Sequence, residues 1–185
     1  ASPSFYCLYS IMPYKKADDF ANYWHVGLCT TCIEVPIDWC LACVCAPCYS
    51  CNQRIRILNG EMELYRCCGG AYLPCECGES DCPYMCLCLE VFLCFWCSVF
   101  GNRYLIQREY QIQNTAFENF VIWMMCIISW VYCLIRTFTS FNFGELDWLC
   151  DIMYCMFSAC MQSQQNAELD YQRSSAPKGM EMRAV

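Results

Sequence analysis

Phe117-Glu-Asn-Phe120-Val-Ile-Trp-Met-Met-Cys-Ile-Ile-Ser129-Trp-Val-Tyr132-Cys-Leu-Ile135 is the stretch of this chain that reads most clearly as a membrane span. From Phe120 to Ile135 only Ser129 and the tip of Tyr132 break the apolar run, and the stretch approaches the roughly 20 apolar residues that cross a bilayer as a helix. An aromatic turn, Thr137 to Phe143, leads on to Glu145–Met161, a second and weaker span interrupted by Asp147 and Asp151. The expectation is a C-terminal helical hairpin, with transmembrane candidates at 117–136 and 145–161.

Working outward, the composition supports the same class. The 185 residues are 58% hydrophobic and 16% aromatic but only 16% charged, and the mean hydropathy is positive, +0.25. They include 22 cysteines. Cysteine density of this order usually marks a small secreted disulfide scaffold, yet such scaffolds are polar, loop-rich and poor in long apolar runs. Ala1 to Lys16 contains no uninterrupted apolar h-region before its first charges, so no secretory signal is expected there. The combination points to a cysteine-rich membrane protein. The formal net charge of −7 speaks against nucleic acid as a partner, because phosphate neutralisation needs a basic face. Membrane lipid and protein partners, in a membrane complex or a homo-oligomer, are expected instead.

N-terminal to the hairpin, Pro36 to Cys48 is an apolar, thiol-rich stretch of thirteen residues, too short to span and therefore expected as an interfacial, re-entrant or core segment. Asn52 to Arg66 reads as a polar helix. Cys67 to Pro83 carries Gly69, Gly70, Gly78, Pro74 and Pro83 and predicts irregular backbone. Ser80 or Asp81 with Pro83 predicts a helix start, and one apolar helix should run over 84–100 and continue past Gly101 to about Thr115. Gln162 to Val185 is polar and expected to be flexible or held by a partner. No internal repeat is evident. The reading is one cysteine-rich membrane domain over 1–165 and a polar tail over 166–185. The fold class is mostly α: a cysteine-rich irregular unit followed by the transmembrane hairpin.

Arg103 and Arg108 precede the hairpin and Arg173, Lys178 and Arg183 follow it, while the connecting loop carries only Arg136. The positive-inside tendency then places both termini on the cytosol-equivalent side. That compartment is reducing, so the cysteines there are expected as free thiols or metal ligands.

Zinc and cadmium favour thiolate and imidazole ligands, four at a time. Cys67, Cys68, Cys75, Cys77, Cys82 and Cys86 offer six thiols within twenty residues, and Cys82 and Cys86, at i and i+4, should point the same way on a helix. Cys68, Cys75, Cys77 and Cys82 make the preferred tetrahedral set, with zinc the candidate ion, structural or transported. Disulfides or simply buried thiols are the competing reading, since the spacing matches no standard finger. His25, the one histidine, is either a nitrogen ligand for this cluster or a hydrogen-bonded structural residue beside Trp24. Glu90 and Asp151 are carboxyls within apolar helices, where they are expensive and seldom face lipid. Cys82, Cys86, Glu90, Cys94 and Cys97 form one stripe, and Asp147, Asp151, Cys155 and Ser158 another. Facing each other they would make a lane for a soft cation; otherwise Glu90 snorkels or pairs with an arginine such as Arg103, and the small thiols serve helix packing. No phosphate loop, Ser/His/Asp order or haem attachment pattern occurs, so no enzyme is expected.

Cys40-Leu-Ala-Cys-Val-Cys-Ala-Pro-Cys48 resembles the signature of the placenta-specific-eight family, which includes plant cell-number regulators and cadmium-resistance proteins. The family pattern is a Cys-Cys or Cys-Leu pair, four variable residues, then Cys-Pro-Cys. Here Cys40-Leu41 supplies the pair, and Pro47-Cys48 closes it with Ala46 in place of the first cysteine and Cys45 one step earlier. A plant branch of that family, of unknown function, is similar further along, at Trp24-His25, Cys67-Cys68, Pro74-Cys75, Cys77 to Pro83, Glu90 to Cys94, Ser98-Val99, 107–115, Asp151 to Cys155 and Ala159 to Gln162. The resemblance covers roughly residues 22–165. It implies a small membrane-associated protein linked to divalent-metal homeostasis or control of cell number. The functional expectation is a membrane protein binding or handling divalent metal. The alternative is an accessory or structural subunit of a larger membrane complex, its cysteines serving as disulfide or structural-metal staples; a thiol redox sensor is a third reading.

Overall fold

The computed structural model describes residues 20–70, 82–138 and 145–175. The chain is mostly helical, as the sequence predicts. In order the elements are β1 (Asn22–Tyr23), α1 (Thr31–Glu34), α2 (Pro36–Val44), α3 (Ala46–Ile57), two short 3-10 turns at Met62–Leu64 and Cys67–Gly70, α4 (Pro83–Leu93), α5 (Phe95–Tyr110), β2 (Ile112–Gln113), α6 (Ala116–Phe138) and α7 (Glu145–Ser175). β1 and β2 form a two-residue parallel bridge, with Asn22 opposite Ile112 and Tyr23 opposite Gln113.

Four helices, α2 to α5, start from a residue with the same non-helical backbone conformation. Val35, Cys45, Cys82 and Cys94 have φ between −131 and −144° and ψ between 51 and 64°, and none makes a side-chain cap. Val35 and Cys82 precede prolines, whose rings exclude the helical conformation from the residue before. Pro36, Pro47 and Pro83 themselves lie in first turns, where a missing N–H leaves no bond unmade. The single helix expected over 84–100 is thus two helices, α4 and α5, bent by 118° at the break. The helix starts at Pro83 with Cys82 as its cap; Ser80 and Asp81 lie outside the described residues.

The bends expose a repeat that the sequence analysis missed. Cys45-x-x-Cys48-x5-Arg54 and Cys94-x-x-Cys97-x5-Arg103 each run from a bend into a helix whose arginine is fully buried. Each bend is entered from a short apolar helix that begins with proline, α2 or α4. Ser50 of the first unit and Ser98 of the second meet through their hydroxyls at 3.0 Å.

α5 and the second half of α7 form the centre. Residues 97–103 and 161–169 are buried without interruption, so every face of each helix is covered. Leu28, Val99, Phe100, Ile122 and Met161 make one apolar cluster, Leu58, Met62, Tyr65, Leu87 and Val91 a second, and Trp24, Ile106, Ile112 and Leu169 a third. The polar run from Gln162 is therefore no flexible tail. It continues a 31-residue helix through the boundary expected at 165, and most of its polar side chains are inside because they find partners, the Gln162 amide being the exception among them. Gln164 donates to Val26 O and Glu118 Oε1, Gln165 to Val99 O, Ser163 to Ala159 O and Asn166 to Asp38, which removes most of the desolvation cost.

The exterior is the reverse. Ile33, Ile37, Leu41 and Val44 are exposed on α1–α2, Tyr84, Met85, Leu89, Phe92 and Leu93 on α4, and Trp148, Leu149, Met153 and Met156 on α7. α6 shows Phe117, Phe120, Trp123, Met124, Ile127, Trp130, Val131, Leu134 and Ile135 to the outside. It is anchored through its first turns. Thr115 and Glu118 cap one another reciprocally, Thr115 N–H donating to Glu118 Oε2 at 2.9 Å and Glu118 N–H to Thr115 Oγ1 at 3.2 Å, and Ile122 enters the first cluster. No single helix among the described residues is both long and apolar enough to cross a membrane; α4 and α5 meet that test only as a bent pair.

Candidate functional site

The sequence-predicted residues that the fold brings together lie around Glu90, on the buried side of α4. Its side chain is 1% exposed and ion-paired at 3.0 Å with Arg54 of α3, itself 0% exposed. The second carboxylate oxygen accepts the Tyr65 hydroxyl at 2.7 Å and the Cys68 amide at 2.8 Å. Arg54 also donates from Nε to Asn102 Oδ1 at 2.5 Å and from Nη1 to the carbonyl of Arg66 at 3.3 Å. Asn102 in turn donates to the carbonyl and hydroxyl of Ser50. The carboxylate is thus surrounded by donors on both oxygens, and the guanidinium is fixed from three sides.

Local backbone makes this possible. Cys68 has φ 53° and Gly69 φ 66°, a left-handed turn that an ordinary residue such as Cys68 adopts only at a cost. The turn aims the Cys68 amide at Glu90 and lays its peptide against Gly101 of α5. A Cβ at Gly101 would stand 2.9 Å from the carbonyl carbon and oxygen of Cys68 and 2.8 Å from Arg54 Nη2. Glycine is required there by proximity rather than by dihedral angle.

Cys67 and Cys68 present their sulfurs 3.9 Å apart, and both lie with a Glu90 oxygen within 4.8 Å of one another. Cys97 adds a third thiol, hydrogen-bonded to Cys68. The bond from Cys67 favours the Cys68 thiolate, but the bond to Cys97, burial and the Glu90 charge outweigh it and push that thiol up to about 12. Burial, then the Glu90 charge, likewise raise the Tyr65 hydroxyl, keeping it a proton donor to the carboxylate. Cys67, Cys68 and Glu90 are the donors a soft divalent ion would use here, and such an ion would compete with Arg54 for the carboxylate.

The other predicted residues are elsewhere. Cys75 and Cys77, half of the preferred tetrahedral set, lie outside the described residues. Cys82 is exposed at the start of α4, while Cys86 packs on the Leu58–Val91 cluster. His25 does not join them: its ring stacks on Tyr171 at 4.0 Å and its amide donates to Glu168 at 2.8 Å. Glu90 pairs with Arg54 instead of Arg103, and the bend at Cys94 interrupts the stripe drawn through Cys82, Cys86, Glu90, Cys94 and Cys97. Asp151 is exposed, not inside a bundle; the Asp147 side chain lies outside the described residues. Of the signature residues, Cys40, Leu41, Cys45 and Cys48 are exposed, and Cys45 and Pro47 form the bend into α3. Among the described cysteines, Cys29, Cys32, Cys40, Cys43, Cys45, Cys48, Cys82 and Cys155 are free thiols.

A second buried network centres on Arg103 and Asn114. Arg103 donates to Gln164 at 2.7 Å and Asn114 at 2.6 Å, and its guanidinium lies 4.2 Å above the Trp24 ring. Asn114 Oδ1 also accepts from Trp24 and Gln107. Arg54, Asn102, Asn114 and Gln164 escaped the sequence reading because polar residues default to the surface. The equal spacing from Cys45 to Arg54 and Cys94 to Arg103 was the signal available for both arginines.

No protein-family model, curated protein or solved structure matches the chain.

Proposed function

We propose that this chain is a non-catalytic, cysteine-rich protein embedded in a lipid membrane, its buried polar networks holding a structural or accessory helical scaffold. One observation carries the reading: large apolar side chains cover the outside of α2, α4, α6 and the start of α7, while arginines, glutamates and glutamines fill the inside. In water an apolar surface of that breadth would be an aggregation hazard. In hydrocarbon it is at ease, and polar groups must then be satisfied within the protein. The apolar run of α6, Phe120 to Ile135, rises about 24 Å at 1.5 Å each, short of the hydrocarbon core of about 30 Å, so in this reading the layer thins around it. In this reading α6 and the first part of α7 make the membrane hairpin, and the apolar arms α2 and α4 enter the same layer and turn back at Cys45 and Cys94. Both termini then lie on the cytosol-equivalent side.

Tryptophan quenching tests the proposal. In single-tryptophan variants reconstituted into vesicles, Trp123, Trp130 and Trp148 should be quenched by brominated acyl chains and shielded from aqueous acrylamide, with Trp24 shielded from both. Acrylamide quenching of Trp123 and Trp130 would overturn it.

Handling of a divalent metal is the second reading, favoured by the closeness of Cys67, Cys68 and Glu90 and in line with the family resemblance, itself still a proposal. Elemental analysis of the purified chain decides: one zinc or more per chain, lost in Cys68→Ser, supports it, and metal-free protein with every thiol titratable leaves the scaffold reading alone.

A further inference from the structure

Outside the Glu90 centre thiols fall into two groups, one of them Cys45, Cys48, Cys51 and Cys88 along α3 and α4, the other on the α7 side. α1 and α2 pack on α7, and this contact carries Cys29, Cys32, Cys40 and Cys43 on one side and Cys155 and Cys160 on the other. Within it Cys43 and Cys155 meet directly. The Cys155 sulfur lies 3.8 Å from the Cys43 carbonyl oxygen, and the two thiols are near enough to interact. Cys155 is exposed and Cys43 partly so.

We propose that Cys43 and Cys155 are a redox-active dithiol that closes into a disulfide tying the apolar arm α2 to α7. The step is thiol–disulfide exchange with a small-molecule disulfide. Cys43 and Cys155 each give up a hydrogen, one S–S bond forms in the protein, the oxidant's S–S bond breaks, and it leaves as two thiols. A diazene such as diamide does the same in vitro, becoming the hydrazine.

The position gives the bond a consequence. α2 is nine residues long and lies between the bends at Val35 and Cys45, so its angle on α7 is set by side-chain packing and by the non-covalent Asn166–Asp38 and Cys155–Cys43 contacts. A covalent link two residues before the Cys45 bend fixes that angle. It also joins positions 112 residues apart, a long loop whose closure strongly restricts the unfolded chain. In the membrane reading both thiols lie in the lipid-covered part of the chain, so the oxidant is a membrane-permeant one.

The test uses the full chain purified in detergent, treated with diamide, blocked with iodoacetamide and mapped by mass spectrometry. The expected product is a Cys43–Cys155 linked peptide two hydrogens lighter than its reduced parts, with Tm raised by about 5 °C or more. Both effects should be reversed by dithiothreitol, absent from Cys43→Ser/Cys155→Ser and retained in Cys40→Ser. A linked peptide using Cys40 in place of Cys43, no linked peptide at all, or the same Tm gain in the double variant would overturn the proposal. Peptide mapping of the wild-type chain is decisive even if the double variant fails to fold.

Discussion

Replacing Glu90 by glutamine is the sharpest test of the buried centre. The change keeps size and shape while removing the charge that faces Arg54, and both partners are within 1% of complete burial. It also puts an amide where an oxygen now accepts from either Arg54 or the Tyr65 and Cys68 donors. Whichever way the amide turns, its NH2 faces a donor. Breaking a buried pair from one side costs about 3–5 kcal/mol, because the remaining charge is stranded. For a chain of this length each kcal/mol lowers Tm by about 2–4 °C, so Glu90→Gln should melt about 6–20 °C below wild type in the same detergent. Glu90→Leu combined with Arg54→Met should recover a large part of the loss, as paired removal of buried ions often does. Recovery should be incomplete, because Asn102, the Arg66 carbonyl, Tyr65 and the Cys68 amide then lose partners. A Glu90→Gln variant melting within about 2 °C of wild type would refute the argument, as would a double variant less stable than either single one.

Gly101→Ala should destabilise by about 1–3 kcal/mol, the usual cost of overpacking, because the atoms in its way are the Cys68 peptide as well as Arg54; a melt matching wild type would mean the turn moves aside freely. Cys68 should resist iodoacetamide: with its thiol at about 12 rather than 9.0, the thiolate fraction at pH 9 falls from about half to about 10⁻³. A pKa raised in the folded state leaves stability intact below pH 9 and removes it as pH climbs toward 12, so alkaline unfolding in that window should shift in Cys68→Ser but not in Cys40→Ser. Asp151→Asn should melt within about 2 °C of wild type and Asp151→Leu at or above it, because the carboxyl is exposed on the part of α7 read as lipid-covered; a large loss in the Leu variant alone would show that it has a partner.

Much of the architecture was written locally. The apolar run from Phe120 to Ile135 is a helix, Pro36, Pro47 and Pro83 open helices, and the backbone turns left-handed at Gly69 and Gly70, because each of these effects acts within a turn or two of the residue that causes it. The bend at Cys94 was not legible: no proline or glycine marks it, and the apolar pattern passes straight through. Nor was the meeting of Glu90 with Arg54, 36 residues away, or of Cys43 with Cys155. The polar run from Gln162 to Glu168 looked like a tail for the same reason. Whether an amide belongs in water or in a core depends on acceptors such as Val26 O and Val99 O, which come from remote segments. Periodicity and composition determine helices and their ends by short-range sterics and local hydrogen bonds. The partners that permit a buried charge exist only once distant helices have packed, and that the tertiary structure alone decides.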